Sequence, residues 1–359
     1  METKCRYYFK LSSKMNIIFF SRLYYPHVGG VEKHAREVAE RLSKKNHQVT
    51  VITQNHEKKL PEIEIKGGVK ILRLPYSENK FIIWKNLLTI KKYIKNADII
   101  HCHDVFFWYL PFKLIFPTKK VFTTFHGWEG IFPIPRKNIL ARKISEKLSC
   151  GNICIGDYIK KHYSTKPDFV SYGGVGLKNI NHSARDINNK NQVTFIGRLE
   201  KDLGLDEYLK ALITLKEKHN FKITFVGDGA YRKQAEKIGK VTGLVKDITP
   251  FVSQPTIILS SSYLTIMESM ALGRPVFSLY QNNLKKDYLK LFPGKKHMWI
   301  AGSANELVSQ INNYLQGPTL KVRKQLQKAK NFAKDQTWDK VVNIYLNLWK
   351  KGGINKHES

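Results

Sequence analysis

Three consecutive stretches decide the architecture: Asn16-Ile-Ile-Phe-Phe20, then Tyr25-Pro26-His27-Val28-Gly29-Gly30-Val31-Glu32, then Gln48-Val-Thr-Val-Ile-Thr53. The first is short and almost wholly apolar, as expected of a strand buried on both faces. Pro26 and the Gly29-Gly30 pair then punctuate the chain with a turn. Over residues 31–43, Val31, Ala35, Val38, Ala39 and Leu42 recur at helical spacing and predict an amphipathic helix. The third stretch reads as a second strand. Strand, helix and strand in this order form a βαβ unit, which implies a parallel sheet.

Working outward, short apolar runs follow at 69–74, 98–101, 120–124 and 152–155, with helical stretches between several of them. Residues 180–192 are polar and Asn-rich and read as an interdomain linker. The pattern then restarts. A strand at 192–196 ends in Gly197-Arg198, a helix covers 205–217, and a strand at 222–226 ends in Gly227-Asp228-Gly229. Strands at 256–259 and 275–279 flank a helix at 264–272. The expected fold is therefore α/β, with two successive sheets. Ligands in open α/β sheets bind at the carboxyl ends of the strands, so two such sheets place a site between them.

Composition narrows the class. The 359 residues are 42% hydrophobic and 25% charged, without a Pro- or Gly-rich tract, which excludes a disordered or fibrous chain. Lys and Arg number 61 against 29 Asp and Glu, a net charge of +32. Such an excess favours polyanionic partners: phosphorylated ligands, an acidic membrane surface or nucleic acid. The lysines are spread along the chain, so charge alone selects none of these, and no nucleic-acid partner is expected. Cys5, Cys102, Cys150 and Cys154 lack metal-ligand spacing and read as reduced thiols of a cytoplasmic protein. Residues 1–14 lack the apolar core of a secretory signal, and Met15 is a plausible alternative start. The longest uncharged run, 248–267, contains two Pro and seven Ser/Thr and is no membrane span. Any membrane contact would be peripheral, on the inner face.

The chemistry concentrates at strand exits. Glycine there lets a backbone approach a phosphate closely, although glycine is also a common strand-exit residue. In Ser260-Ser-Ser-Tyr-Leu264-Thr-Ile-Met-Glu268-Ser-Met-Ala-Leu-Gly273-Arg-Pro275, a strand passes through small hydroxyl residues into a helix beginning near Leu264 and Thr265. Unpaired amides and the helix dipole at that point suit a diphosphate. Glu268, one turn in on an apolar helix, can accept hydrogen bonds from ribose hydroxyls or simply act as a dipole partner.

At these residues the chain resembles glycosyltransferase family 4, retaining enzymes of the GT-B fold. The likeness spans about residues 15–315. It rests on the Tyr25–Glu32 stretch, Ile100-His101-Cys102-His103, Thr124-Phe125-His126-Gly127, Gly197-Arg198-Leu199, Val226-Gly227-Asp228-Gly229 and Glu268 through Val276. The resemblance implies two Rossmann-like domains facing each other across a cleft. Residues 15–178 would form the acceptor side and 190–335 the donor side, with a C-terminal helix over 336–350 packing back on the first domain.

It further implies a nucleotide-sugar co-substrate, UDP- or GDP-linked, with no metal or other cofactor. Gly29 and Gly30 would close on the donor phosphates, Arg198 would neutralise them, and Gly229 belongs to the same set of donor-side turns. Leu264 and Thr265 would offer amides, Glu268 would bind ribose, and His126 would lie beside the transferred sugar. The acceptor would be a glycan, lipid-linked or cell-envelope intermediate.

Two positions depart from the family pattern. Ser260 stands where a carboxylate usually holds the donor sugar. Leu203 stands where a lysine usually supplies a second phosphate cation, with Lys201 near enough to swing in. An inactive homologue, a nucleotide-sugar epimerase and a phosphorylase on the same fold are the alternatives. A dinucleotide oxidoreductase fits less well, because Arg232 occupies the third glycine position of its fingerprint. His101-x-His103-Asp104 suggests metal chemistry in isolation. Strand positions alternate between faces, however, so the two imidazoles are expected to diverge. The Lys-rich helices at 84–95 and 136–148 are expected to turn their apolar residues inward and their charges toward an anionic membrane or solvent.

Overall fold

A computed structural model describes residues 14–127, 130–176, 192–253, 257–317 and 319–352. Cys5 lies outside these residues. So does the expected linker, except for Gln192, which opens a strand. The stretch that opens the sequence becomes β1 (Asn16–Ser21), with Phe19 and Phe20 fully buried on opposite faces. That double burial explains the continuous apolar run, since a central parallel strand is covered on both sides.

The first sheet is completed by β2 (Gln48–Gln54), β3 (Ile63–Lys66), β4 (Val69–Leu74), β5 (Ile99–His103), β6 (Val121–Phe125), β7 (Gly151–Ile155) and β8 (Phe169–Ser171). Its order is β3-β4-β2-β1-β5-β6-β7-β8, parallel except for the β3–β4 pair. The second sheet comprises β9 (Gln192–Ile196), β10 (Lys222–Val226), β11 (Lys240–Val241), β12 (Ile257–Leu259), β13 (Val276–Leu279) and β14 (Trp299–Ala301). Its order, β11-β10-β9-β12-β13-β14, is parallel throughout. In each sheet the chain winds outward in both directions from its first strand, β1 or β9. A crevice opens at such a switch point, at the carboxyl ends of the strands.

The Gly30–Lys44 helix covers the first sheet with Ala35, Val38, Ala39 and Leu42, together with His34. The expected helix at 84–95 is in fact two, Lys80–Thr89 and Lys91–Asn96, broken at Ile90. Buried Ile83, Leu87 and Ile94 keep one helical phase across the break, so their spacing alone reads as a single helix. The apolar residues of these surface helices do not all turn inward. Phe81, Ile82 and Leu88 are exposed on the first, and Leu140 and Ile144 on Arg136–Leu148, which buries none of its residues fully. Leu114, at the end of the neighbouring Phe106–Ile115 helix, is 87% exposed.

The last helix, Trp338–Lys351, returns to the first sheet beside β7, β8 and the Gly30–Lys44 helix. It buries Trp338, Val341, Val342, Tyr345, Leu348 and Trp349. At its start the Thr337 side chain accepts the Lys340 N–H, and the Val175 N–H donates to the Gln336 carbonyl at 2.6 Å. Cys102, Cys150 and Cys154 are free thiols.

Candidate active site

Between the carboxyl ends of the two sheets lies a cavity of about 580 Å³. The first lobe lines it with Gly29, Gly30, Lys33, Arg36 and His126. The second contributes Gly197, Arg198, Leu203, Gly227, Leu264, Thr265, Glu268 and Lys285. Seven of the positions singled out from sequence therefore converge: Gly29, Gly30, His126, Arg198, Leu264, Thr265 and Glu268.

Lys201 and Gly229 are placed elsewhere. Lys201 is exposed on a single 3-10 turn, Lys201–Leu203, whose first carbonyl is held by the Gln281 side-chain amide at 2.6 Å. Gly229 (φ 154°) is required by chain packing, since a Cβ there would come within 2.5 Å of the Leu199 carbonyl oxygen. Gly227 (φ 149°) is tighter still: its Cβ would sit 1.9 Å from the Gly197 carbonyl oxygen. The exits of β9 and β10 thus abut at the cleft floor.

The Tyr263–Ala271 helix begins at Ser262, which gives no side-chain cap. The Tyr288 hydroxyl accepts the Tyr263 amide at 3.1 Å. Among the described residues, no acceptor meets the amides of Leu264 and Thr265. Two N–H groups and the positive end of the dipole therefore face the cavity. Arg198 stands at the mouth, held by Asp202 at 2.7 Å. Glu268 is mostly buried and accepts a hydrogen bond from the Lys33 ammonium of the opposite lobe. Burial raises the Glu268 pKa above the ordinary carboxylate value, and Lys33 works against that rise.

Ser260 is turned into the sheet, donating to the Ile196 carbonyl at 2.8 Å. It contributes nothing to the cavity lining. Leu203 does line the cavity and covers Gly197.

On the first lobe, β5 and β6 carry a buried imidazole cluster. His101 and His103 share one face, with ring centroids 5.3 Å apart, contrary to the expected divergence. The reason is simple: positions two apart on a strand point the same way. His103 Nδ1 lies 2.8 Å from His126 Nε2, and Asp104 accepts the His126 backbone N–H at 3.0 Å.

The Trp349 indole N–H donates to His101 Nδ1 at 3.1 Å, so the proton of neutral His101 is on Nε2, facing Thr124 Oγ1 at 2.7 Å. The Tyr345 hydroxyl bridges Thr124 and His34. Burial holds His34 down to about 3 and keeps His101, His103 and His126 well below the usual imidazole range. No group of three or more side chains among the described residues is arranged to hold a metal.

These four imidazoles carry a prediction. An unfolded chain takes up their protons below about pH 6.5, whereas the folded chain does not. Stability is therefore expected to fall as pH drops from 6.5 toward 3, with each imidazole adding up to about 1.4 kcal/mol per pH unit. Urea unfolding at pH 7 and pH 5 checks this. His34→Gln should flatten the dependence.

Two family models divide the chain between them. Glycosyltransferase Family 4 matches residues 28–166, and Glycosyl transferases group 1 matches residues 190–316. An uncharacterized glycosyltransferase of Methanocaldococcus jannaschii is 26% identical over 302 residues, covering 69% of this chain and 76% of the relative. This chain is a family 4 glycosyltransferase.

Solved structures agree on its architecture. A glycosyltransferase from Rickettsia africae superposes with a TM-score of 0.74 at 20% identity, covering 96% of the transferase and all of that chain. An Anabaena protein in complex with UDP and glucose gives 0.68 at 15% identity, covering 93% and 98%. The fold is GT-B. Sequence reasoning missed three features of the transferase's site. Lys33 lies on a helix read only for its apolar stripe. His103 reads from sequence as part of a family mark and, with Asp104, as a metal motif, and neither reading shows that both contact His126. Lys285 sits in a lysine-rich run that resembles a solvated helix face.

Proposed function

We propose that this transferase moves a sugar from a nucleoside-diphosphate donor, UDP- or GDP-linked, to an acceptor hydroxyl with retention of anomeric configuration. The observation that carries this reading is the convergence of the unmet Leu264 and Thr265 amides, Arg198 and Glu268 on one cavity wall. The amides and the guanidinium suit a diphosphate leaving group, on which negative charge grows as the glycosidic bond breaks. Glu268 suits the ribose hydroxyls, which would displace Lys33 from it.

The acceptor oxygen bonds to the anomeric carbon on the face from which the diphosphate departs. The acceptor proton passes to the leaving phosphate oxygen. His126, neutral and fixed by His103 and Asp104, borders the sugar from the acceptor lobe. The test is calorimetric titration with UDP-, GDP- and ADP-sugars. Binding of a UDP- or GDP-sugar that is lost in Glu268→Ala supports the reading; binding of none of them overturns it.

The acceptor we propose is a lipid-linked or cell-envelope glycan presented at an anionic membrane. Phe81 and Ile82 on the Lys80–Thr89 helix and Leu114 on the adjoining Phe106–Ile115 helix expose apolar side chains among Lys80, Lys85 and Lys113. No helix among the described residues is long and apolar enough to cross a membrane. Such a surface suits peripheral docking on acidic headgroups. Co-sedimentation with vesicles containing phosphatidylglycerol should exceed that with phosphatidylcholine alone. Each of Phe81→Asp and Leu114→Asp should weaken binding about tenfold or more, given about 1.5–3 kcal/mol per inserted side chain. Equal binding to neutral vesicles would refute the docking face.

A further inference from the structure

Cations are plentiful around the cleft, and nearly all of them are accounted for. Lys33 is bound to Glu268, Arg36 faces Glu37 and Arg198 is held by Asp202. Lys246 is exposed to solvent. Lys285 is different. It lines the cavity yet is only 3% exposed, and among the described residues its ammonium has no carboxylate partner and no hydrogen-bond acceptor. The nitrogen lies over the ring of Tyr288, 4.3 Å from the centroid.

Its position compounds the cost. Lys285 lies in the first turn of the Asn283–Lys290 helix, where the dipole disfavours a cation. A buried charge without a partner is among the more expensive features a protein can carry. Burial, with Arg198 close by, pulls the ammonium down to about 8. The charged and titratable groups that act on it are Arg198 and Asp202, from the segment around the Lys201–Leu203 turn, and Tyr288 stacks against it from its own helix. Asp202 is already occupied by Arg198.

All of this becomes favourable once an anion enters. Lys285, Arg198 and the open amides of Leu264 and Thr265 line the same cavity. Leu203, at the position where a lysine would be expected, presents only an apolar side chain to it.

We propose that Lys285 is the second cation of the diphosphate site, supplying from the Asn283–Lys290 helix the charge that Leu203 cannot supply and that exposed Lys201 does not bring to the cavity. This inference rests on the donor assignment above. It makes the free protein bear a frustrated charge that nucleoside diphosphate relieves.

The experiment is titration of UDP, GDP, uridine and guanosine into the full chain and into Lys285→Met, Lys285→Arg and Lys201→Ala. Lys285→Met should lower nucleoside diphosphate affinity about 10- to 100-fold, the loss expected for one hydrogen bond to a charged group. Nucleoside affinity and the behaviour of Lys201→Ala should match the parent, and Lys285→Arg should recover part of the loss. Thermal unfolding of ligand-free Lys285→Met should occur at or above the parent's temperature, since the variant removes an unpaired buried charge. That result also shows that the variant folds.

For the parent, diphosphate binding at pH 8.5 should take up protons, read from calorimetry in buffers of different ionisation enthalpy. Lys285→Met should take up fewer. If the parent binds UDP or GDP and Lys285→Met binds it equally well, the Lys285 assignment is wrong and the donor reading stands. If the parent binds neither diphosphate, the donor reading falls and takes this inference with it.

Discussion

Arg198→Ala is expected to lower the turnover of a bound nucleotide sugar about 100- to 1,000-fold, the range for removing one preorganised donor from a developing oxyanion. The guanidinium lies at the cavity mouth, where it can meet the diphosphate as its charge grows during bond breaking. Asp202 holds it in the free protein at 2.7 Å, which fixes the fork near its working place. Release of nucleoside diphosphate with water as the acceptor provides the readout, so the acceptor need not be known. Arg198→Lys keeps a charge but loses the planar, two-pronged geometry, and should recover only part of the rate. Asp202→Ala separates loss of the guanidinium from loss of its ion pair: it should retain much more activity than Arg198→Ala. Turnover in Arg198→Ala within threefold of the parent would remove Arg198 from the mechanism.

Ending the chain at Asp335 is expected to abolish cooperative folding. The deleted helix buries Trp338, Val341, Val342, Tyr345, Leu348 and Trp349. At about 1.5–3 kcal/mol for each large apolar side chain, the loss is on the order of 10 kcal/mol. That is comparable with the whole stability of an ordinary protein, about 5–15 kcal/mol. The truncation also strips hydrogen-bond partners from His34, Thr124 and His101. Buried polar groups left without partners add about 1–3 kcal/mol each. Thermal unfolding followed by near-ultraviolet circular dichroism tests the expectation. A cooperative transition within a few degrees of the parent's would show that the helix is dispensable. Tyr345→Phe makes a milder comparison, because it removes one hydroxyl and leaves the packing.

The sheets were legible because central parallel strands are buried on both faces, as Phe19 and Phe20 are, and so cannot hide in an alternating pattern. The Gly30–Lys44 helix was legible because one face is apolar at every turn. Less was visible where three-dimensional proximity does the work. Ile90 breaks a helix whose apolar spacing runs on undisturbed, so local backbone geometry overrides the pattern. His103 carries no sign in the sequence that its ring will meet His126. Lys285 follows Leu284 and precedes Lys286 and Asp287, and nothing local distinguishes the buried amine from its solvated neighbours. Ser260 and Leu203 were visible as departures from a pattern. That one turns into the sheet while the other covers a glycine could be learned only from the fold.

The Tyr345 hydroxyl that bridges His34 and Thr124 has a consequence in time. It lies 311 residues after His34 in the chain. The rest of the N-terminal lobe is complete by about Val175, so at a synthesis rate of about 5–20 residues per second it waits roughly 10 to 30 seconds for the helix that completes its own floor. Throughout that interval it emerges with an apolar trough and unmet imidazoles. The lobe that is made first is thus finished last, and the nascent chain, rather than the mature enzyme, is the form most in need of a chaperone.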